Sequence, residues 1–389
     1  MPKRSDTESS ESITRIAIVY NTAWYLYNFR VPLILALQER GYEVHAITPS
    51  DDSVPKLEAL GVIHHDLKIN AHGINPLQEL RSLVLLYKKL KQLKAMLVIS
   101  YTIKCNIYSG LIRPLLKFSH IANIVGLGRA FEKNNFLAIV ARRLYRLSIY
   151  AADYTFFQNN EDRDALVKQQ IIKLERTVVT PGSGIDLSFF TASENLERSK
   201  KRIFFMFGRL IPAKGFALFA KVIAELKIQY PDIIEGWIAG GLDGAQPQSA
   251  TLKKDLESAH AKGEITYLGH REDIRNLIAQ SSVVVLPSTY NEGVPRSLLE
   301  AIASGKPIIT TNWKGCRETV DTNKNGILIP PHDMAALKSA IEKFILMGTT
   351  ELQSYGKASR AYAEKRFDQK IVLSLYLDAI ERLLIETAQ

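Results

Sequence analysis

Cysteine is nearly absent from this chain: 389 residues contain two, Cys105 and Cys316, far apart and neither in a C-x-x-C pair. That scarcity argues against a disulfide framework and against a structural zinc site, and it fits a reducing compartment. Long apolar runs are missing too; none reaches the roughly 18 residues that a membrane-spanning helix needs. The opening MPKRSDTESSES lacks the apolar stretch of a signal peptide or anchor. Residues 1–13 are therefore expected to form a flexible tail and the protein to be cytoplasmic. Acidic residues are scarce in one long stretch. From Arg81 to Arg146 there are thirteen lysines and arginines against one acid, Glu132, a larger surplus than the +10 of the whole chain. This imbalance points to an anionic partner, with a merely solvated basic face as the plain alternative. No nucleic-acid-binding motif accompanies the charge, so no nucleic acid is expected. RSLVLLYKKLKQLK and FLAIVARRLYRLSIY place aliphatic and tyrosine side chains beside clustered cations on helical patterns. That mixture suits an anionic membrane surface, met by the N-terminal half as a peripheral partner.

What the chain does have is a globular composition, 46% hydrophobic and 23% charged, at a length that exceeds one ordinary core. Apolar strand-like runs alternate with helical patterns, the signature of parallel α/β sheets. The first half offers such runs at 14–20, 43–49, 95–100, 121–127, 154–158 and 177–181; the second at 202–207, 234–241, 264–269, 282–288, 307–311 and 326–331. The polar TASENLERSKK separates the two sets. The expected fold class is α/β, with two doubly wound, Rossmann-like domains at 14–190 and 202–365 joined by a linker at 191–201. A C-terminal amphipathic helix at 366–389 should pack back on the first domain. Ligands of open parallel sheets bind beyond the carboxyl ends of the strands, so the active site belongs in the interdomain cleft.

Three segments of the second half carry chemistry. In FFMFGRLIPAKGF, Gly208 lets the backbone turn past a ligand, and Arg209 and Lys214 follow as a planar fork of donors and a compact point charge. Both suit phosphate oxygens, although a lone R-x4-K-G is more often a surface turn. In NEGVPRSLLEAIASGKP, Glu292 and Glu300 stand eight positions apart astride the start of a helix. Pro295 fits its first turn and Gly305 the residue past its end. The amides around Gly293, Val294 and Arg296 would face the cleft with the positive end of the helix dipole. Glu292 can accept hydrogen bonds from sugar hydroxyls and Glu300 from a ribose. Two cations and two carboxylates so placed suit a ligand with a diphosphate at one end and hydroxyls at the other, which describes a nucleotide-sugar. Asp162-Arg163-Asp164, after Asn159-Asn160, has the spacing of an Asp-x-Asp metal motif. Acids in a first helical turn are ordinary capping partners, and that reading is preferred. His64 and His65 have no third ligand at metal spacing. No metal is expected.

GRLIPAKG, the E-x7-E pair and ASGKPII together resemble the donor half of the retaining GT-B glycosyltransferases of family four. The resemblance covers nearly the whole chain. LYNFRVPLI, SYTIKCNIYSG, IVGLG, FFQNNEDR and TPGSGIDLSFF are similar to enzymes that build polyprenyl-diphosphate-linked glycans in bacterial N-glycan, capsule and O-antigen assembly. It implies a hexosyltransferase using a UDP-sugar donor and no cofactor. Arg209 and Lys214 would hold the donor diphosphate, Glu300 the ribose, and Glu292 with the amides that follow it the transferred sugar, in a donor-binding stretch of Gly293, Val294 and Pro295. The Leu268–Arg271 stretch, with His270, would lie against the nucleobase. Arg209, Lys214 and Glu292 would be the catalytic group. Acceptor contacts would come from Arg30, Tyr101, Lys104 and Asn106 in the first domain. The chain departs from many relatives in having NTAWYLYNFR where they carry a glycine-rich loop, and Ser100-Tyr101-Thr102 where they carry a histidine. Donor phosphates are thus not expected from that side, and no histidine is given a catalytic role. Competing readings are a nucleotide-sugar epimerase or hydrolase on the same fold, which would form product without an acceptor, a non-enzymatic sugar-binding protein, and an inactive scaffold.

Overall fold

The computed structural model describes residues 13–69, 75–126, 136–192, 201–242 and 247–388. Residues 1–12 of the expected tail, 193–200 of the expected linker, and Arg129, Glu132 and Lys133 of the basic stretch lie outside the described residues.

Two all-parallel sheets form. The first contains β1 (Arg15–Val19), β2 (Glu43–Thr48), β3 (Ile63–Asp66), β4 (Leu97–Tyr101), β5 (Ser119–Ile124), β6 (Tyr154–Phe157) and β7 (Thr177–Val179), in the order β3-β2-β1-β4-β5-β6-β7. The second contains β8 (Arg202–Phe207), β9 (Ile234–Ala239), β10 (Thr266–Tyr267), β11 (Val283–Leu286), β12 (Ile308–Thr311) and β13 (Gly326–Ile329), in the order β10-β9-β8-β11-β12-β13. Central strands such as RIAIV, LVISY and RIFFMF are apolar at nearly every position because helices cover both faces. Twelve strands answer to the runs read from sequence. The thirteenth, β3, was not expected: IHHD is polar, and an edge strand needs no apolar alternation.

Each sheet reverses direction of winding once, between β1 and β4 and between β8 and β11. These switch points open crevices at the strand carboxyl ends, and both face the junction of the domains. The chain crosses that junction twice, side by side. Ile185 N–H donates to Phe367 O at 2.7 Å, and Gln369 N–H donates to Ile185 O at 3.0 Å. The returning helix Gln369–Ala388 buries Val372, Tyr376, Ile380 and Leu383 in the first domain, in the same core as Ile16, Ile18 and Leu37. The opposite face of the first sheet is covered by the helices Pro76–Leu93, Ile103–Leu116 and Phe136–Tyr150. Cys105 and Cys316 are both free and buried.

A polar network crosses beneath β4 and β5. Ser100 Oγ donates to Asn106 Oδ1 at 2.7 Å, Asn106 Nδ2 to Asn123 O at 2.9 Å, and Asn123 Nδ2 to Ser100 O at 3.1 Å. With the Ser100 proton on Asn106, His120 Nε2, 2.8 Å from Ser100 Oγ, must be the donor to it. His120 Nδ1 is buried with no partner. Burial, then the nearby Arg113 charge, hold the imidazole neutral down to about 3, from 6.5. The unfolded chain therefore binds the extra proton first as pH falls below 6.5, and stability drops by about 1.4 kcal/mol per pH unit until the folded value is reached. His120→Gln should flatten the acid side of a plot of urea midpoint against pH. An unchanged slope there would assign acid lability to other groups.

Candidate active site

The site assembles at the β8/β11 switch point. After β8 the chain turns at Gly208, whose φ is +142°. The short 3₁₀ turn Pro212–Lys214 then brings the lysine back over it: a Cβ at Gly208 would lie 3.8 Å from Lys214 Nζ. The turn is tied to the end of β11 by Thr289 N–H on Ala213 O, 2.8 Å. Lys214 is 6% exposed. Its ammonium sits 3.1 Å from Glu292 Oε1 and 3.3 Å from Oε2. Residues 78 positions apart are thereby brought into one ion pair at the cleft. Arg209 is exposed on the same loop.

The helix beyond is Arg296–Ala303, with Pro295 as its N-cap, one position before the first turn expected for it. Gly305 takes φ +67° just past its end. The fifth residue of the helix, Glu300, is half-buried, while its chain neighbours Leu298, Leu299, Ala301 and Ile302 are all buried. Burial pushes the Glu300 carboxyl above its ordinary value, while Arg296, 3.0 Å away, pulls it down. Gly293, Val294 and Pro295 are buried. One part of the amide reading needs correction: the Gly293 N–H donates to Val125 O of the first domain at 2.8 Å, so it is not offered to a sugar. The two backbones meet too closely there for any ligand to pass.

At the far end of the crevice, the loops after β8, β9 and β10 touch. Gly240 N–H donates to Gly269 O at 2.8 Å and Leu268 N–H to Ile238 O at 2.8 Å. The exposed His270 ring lies against Gly241. Arg271 is exposed and forks onto Asp273 at 2.8 and 2.7 Å, which commits its guanidinium to that carboxylate.

The first domain differs more from expectation. Arg30 is not on a loop. NTAWYLYNFR joins the following apolar residues in one helix, Ala23–Glu39, with Thr22 as N-cap. Leu26, Arg30, Leu33 and Leu37 share its buried face. Asp51 Oδ2 accepts from Trp24 N–H at 2.9 Å and from Thr22 Oγ1 at 3.2 Å. A carboxylate of the chain thus already occupies the positive end of this helix, where a glycine-rich loop would admit a phosphate. Arg30, 6% exposed, lies over the Tyr101 ring at 4.5 Å and near Tyr376 at 5.8 Å. Tyr101 is fully buried and stacks on Tyr20. Lys104 pairs with Glu79 at 2.7 Å, and Asn106 is spent in the buried network described above. Of the four acceptor residues expected, then, Tyr101 and Asn106 are interior residues and Arg30 stacks in the interior. None presents a free cation to the cleft. Tyr101 ends β4, and Arg30 and Asn106 lie on the buried faces of the helices after β1 and β4, which places all three in the first-domain core.

Arg296 was missed. Besides Glu300, its Nη1 reaches Gly184 O at 2.6 Å and Ser183 Oγ at 3.4 Å, and its guanidinium lies 5.3 Å from the Phe29 ring of the first domain. The i,i+4 spacing to Glu300 could have signalled the pair; the contacts across the junction had no sequence signal. Asp162, taken as a capping acid, does sit in the first turn, with Asn159 Oδ1 accepting from its N–H at 2.8 Å. Its carboxylate is also paired with Lys314 of the second domain at 2.9 Å. Among the described residues no helix is long and apolar enough to cross a membrane.

Two doubly wound parallel-sheet domains, with paired charges at the switch point of the second, define a GT-B protein with its site between the domains. Residues 189–362 match the family described as glycosyl transferases group 1, and residues 15–159 match the glycosyl transferase 4-like family. The chain is 30% identical over 386 residues to the N,N'-diacetylbacillosaminyl-diphospho-undecaprenol alpha-1,3-N-acetylgalactosaminyltransferase of Campylobacter jejuni, covering 95% of this chain and 99% of that one. It is also 30% identical over 290 residues to the UDP-Gal:alpha-D-GlcNAc-diphosphoundecaprenol alpha-1,3-galactosyltransferase of Escherichia coli, covering 69% of this chain and 71% of that one. Anabaena HepE, crystallised with UDP and glucose, shares the fold at a TM-score of 0.77 and 18% identity, covering 95% of this chain and 100% of that one. This chain belongs to the group 1, family 4 glycosyltransferases.

Proposed function

We propose that the protein transfers a hexose or N-acetylhexosamine from a UDP-sugar to a polyprenyl-diphosphate-linked glycan, with retention at the anomeric carbon, during assembly of a cell-surface polysaccharide or glycan. The observation that carries this reading is the Lys214–Glu292 pair at the β8/β11 crevice, with Glu300 one helical stretch behind it. The names of the two relatives above support the acceptor class, since both act on sugars linked through diphosphate to undecaprenol.

In the proposed reaction the acceptor hydroxyl attacks the anomeric carbon on the face from which the nucleotide departs. The new glycosidic C–O bond forms as the bond to the β-phosphate oxygen breaks, and that oxygen takes the hydroxyl proton. Negative charge builds on the departing diphosphate, beside Lys214 and Arg209. Preorganised donors aimed at such charge are the largest single contribution in comparable reactions. Glu292 holds the ammonium in place and faces the sugar. Metal independence is part of the proposal: the acid that a metal motif would use, Asp162, is held by Asn159 and Lys314.

Thermal shift with a panel of UDP- and GDP-sugars should single out UDP-linked donors, since ligand binding raises apparent stability by mass action. Labelled sugar from the stabilising donor should then move to a polyprenyl-diphosphate glycan, in EDTA as well as without it. Sugar turnover without acceptor would instead indicate an epimerase or hydrolase. Loss of transfer in EDTA would sink the metal-free part.

The acceptor lipid implies work at a membrane face, and two exposed helix sides of the first domain support that reading. The outer side of the Pro76–Leu93 helix exposes Leu77, Leu80 and Val84 beside Arg81, Lys88 and Lys91. That of the Phe136–Tyr150 helix exposes Val140, Leu144 and Leu147 beside Arg143 and Arg146. Both flank the Ile103–Leu116 helix on one face of the sheet. Each cation near an anionic bilayer contributes about 1 kcal/mol. Lys88→Glu, Lys89→Glu and Lys91→Glu together should abolish cosedimentation with phosphatidylglycerol vesicles. Undiminished cosedimentation of the triple variant would remove the membrane proposal.

A further inference from the structure

The loop that carries Glu292 is held from both domains. On the first-domain side, Val125 O accepts the Gly293 N–H. A Cβ on Gly126 would come within 3.1 Å of Glu292 Cα, and one on Gly293 within 2.2 Å of Gln158 Oε1. On the second-domain side, Trp313 Nε1 donates to Asn291 Oδ1 at 3.2 Å, and a Cβ on Gly315 would reach 1.6 Å from Gly293 O. The backbone at 291–293 is therefore clamped between the 125–126 and 313–315 segments with no spare volume. The residue at the centre of the second segment, Lys314, crosses to Asp162 at 2.9 Å, and the Asp162 side chain is 3% exposed. Both oxygens of the Asp162 carboxylate are engaged: Oδ2 accepts from Asn159 Nδ2 at 3.1 Å and Oδ1 from Lys314 Nζ at 2.9 Å. A second pair of the same polarity, Glu161–Arg317 at 3.3 Å, lies beside it.

We infer that Asp162 and Lys314 form an interdomain latch that sets the position of Glu292. The inference rests on the glycosyltransferase reading of Glu292 given above. The physical argument is one of state dependence. The two partners belong to different domains, so neither domain needs the pair in order to fold. When the domains part, both charges return to water; when they meet, the pair forms out of water, where it is screened least. Its free energy thus enters the difference between open and closed arrangements and biases that equilibrium. The latch ties the 313–315 segment, which packs on 291–293, to the first domain, so the loop that carries Glu292 is fixed from both sides when the domains meet. Asp162 and Lys314 are positioning residues in this scheme, since neither reaches the reacting atoms.

The test reads the latch directly, through hydrogen exchange of the segment containing Gly293, whose N–H donates to Val125 O only when the domains meet. Lys314→Met and Asp162→Asn should each speed that exchange at unchanged Tm, and Lys314→Arg should restore protection. The double variant should be no worse than either single one, because both remove the same interaction. With the preferred donor, Lys314→Met should lower kcat about ten- to a hundredfold, the scale of a small misplacement at a reacting centre, and change KM for the donor less than about twofold. Unchanged exchange at Gly293 in both single variants overturns the latch, whatever the rates show. Faster exchange with parental kcat overturns the positioning role. Parent protein that shows latch-dependent exchange but no sugar transfer would leave the latch standing and sink the reading of the site.

Discussion

Lys214→Ala is expected to lower kcat about 10²–10³-fold, the loss typical of removing one preorganised donor to a developing oxyanion. Its ammonium is nearly excluded from solvent and is fixed on Glu292 at 3.1 and 3.3 Å. It therefore requires little reorganisation when a diphosphate arrives. The substitution also leaves Glu292 without its cation, so some stability will be lost with the rate. Lys214→Ala/Glu292→Gln separates the two effects: the double variant should regain melting temperature but not turnover. Steady-state kinetics beside differential scanning calorimetry decide the matter. A Lys214→Ala enzyme that keeps near-full kcat would refute the diphosphate role.

Glu300→Gln should weaken nucleotide-sugar binding by about ten- to a hundredfold, because hydrogen bonds to a charged group contribute about 1.5–3 kcal/mol. Burial raises the Glu300 carboxyl above its ordinary value, and the Arg296 guanidinium 3.0 Å away opposes that rise. Glutamine keeps the shape and removes the charge, and it strands the Arg296 guanidinium, which must then rely on Gly184 O and Ser183 Oγ. A donor lacking the ribose hydroxyls makes the test specific. It should bind parent and variant equally, and calorimetry that shows the same penalty with and without those hydroxyls would take Glu300 off the ribose.

Much of the second domain was legible because its chemistry is local. Gly208 directly follows β8, Lys214 and Glu292 stand on the segments after β8 and β11, and strands of RIFFMF or VVVL type announce themselves by apolar runs. The first domain was less so. NTAWYLYNFR reads as a loop when the β1 end is inspected alone, yet Thr22 and Asp51 cap it and Leu26, Arg30, Leu33 and Leu37 extend its buried face into one helix. Lys306 teaches the same lesson inside a family motif: in ASGKP it is 1% exposed and donates to Ala279 O and Ser281 O at 2.8 and 2.9 Å, a pin for the β11 entry and not a ligand.

Composition and strand periodicity were sufficient by themselves to determine two parallel α/β domains, and the Arg209–Lys214 and Glu292–Glu300 spacings to single out the segments of the candidate site. Each of those signals lies within a short stretch of chain, where propensity and pattern act. Only the tertiary structure decided that Lys214 meets Glu292, that Arg30 and Asn106 turn inward, and that Asp162 holds Lys314 across the junction. Pairs 78 and 152 residues apart come together through packing of whole sheets. No local preference encodes that meeting: it follows from burying two cores and joining them by two crossings of the chain.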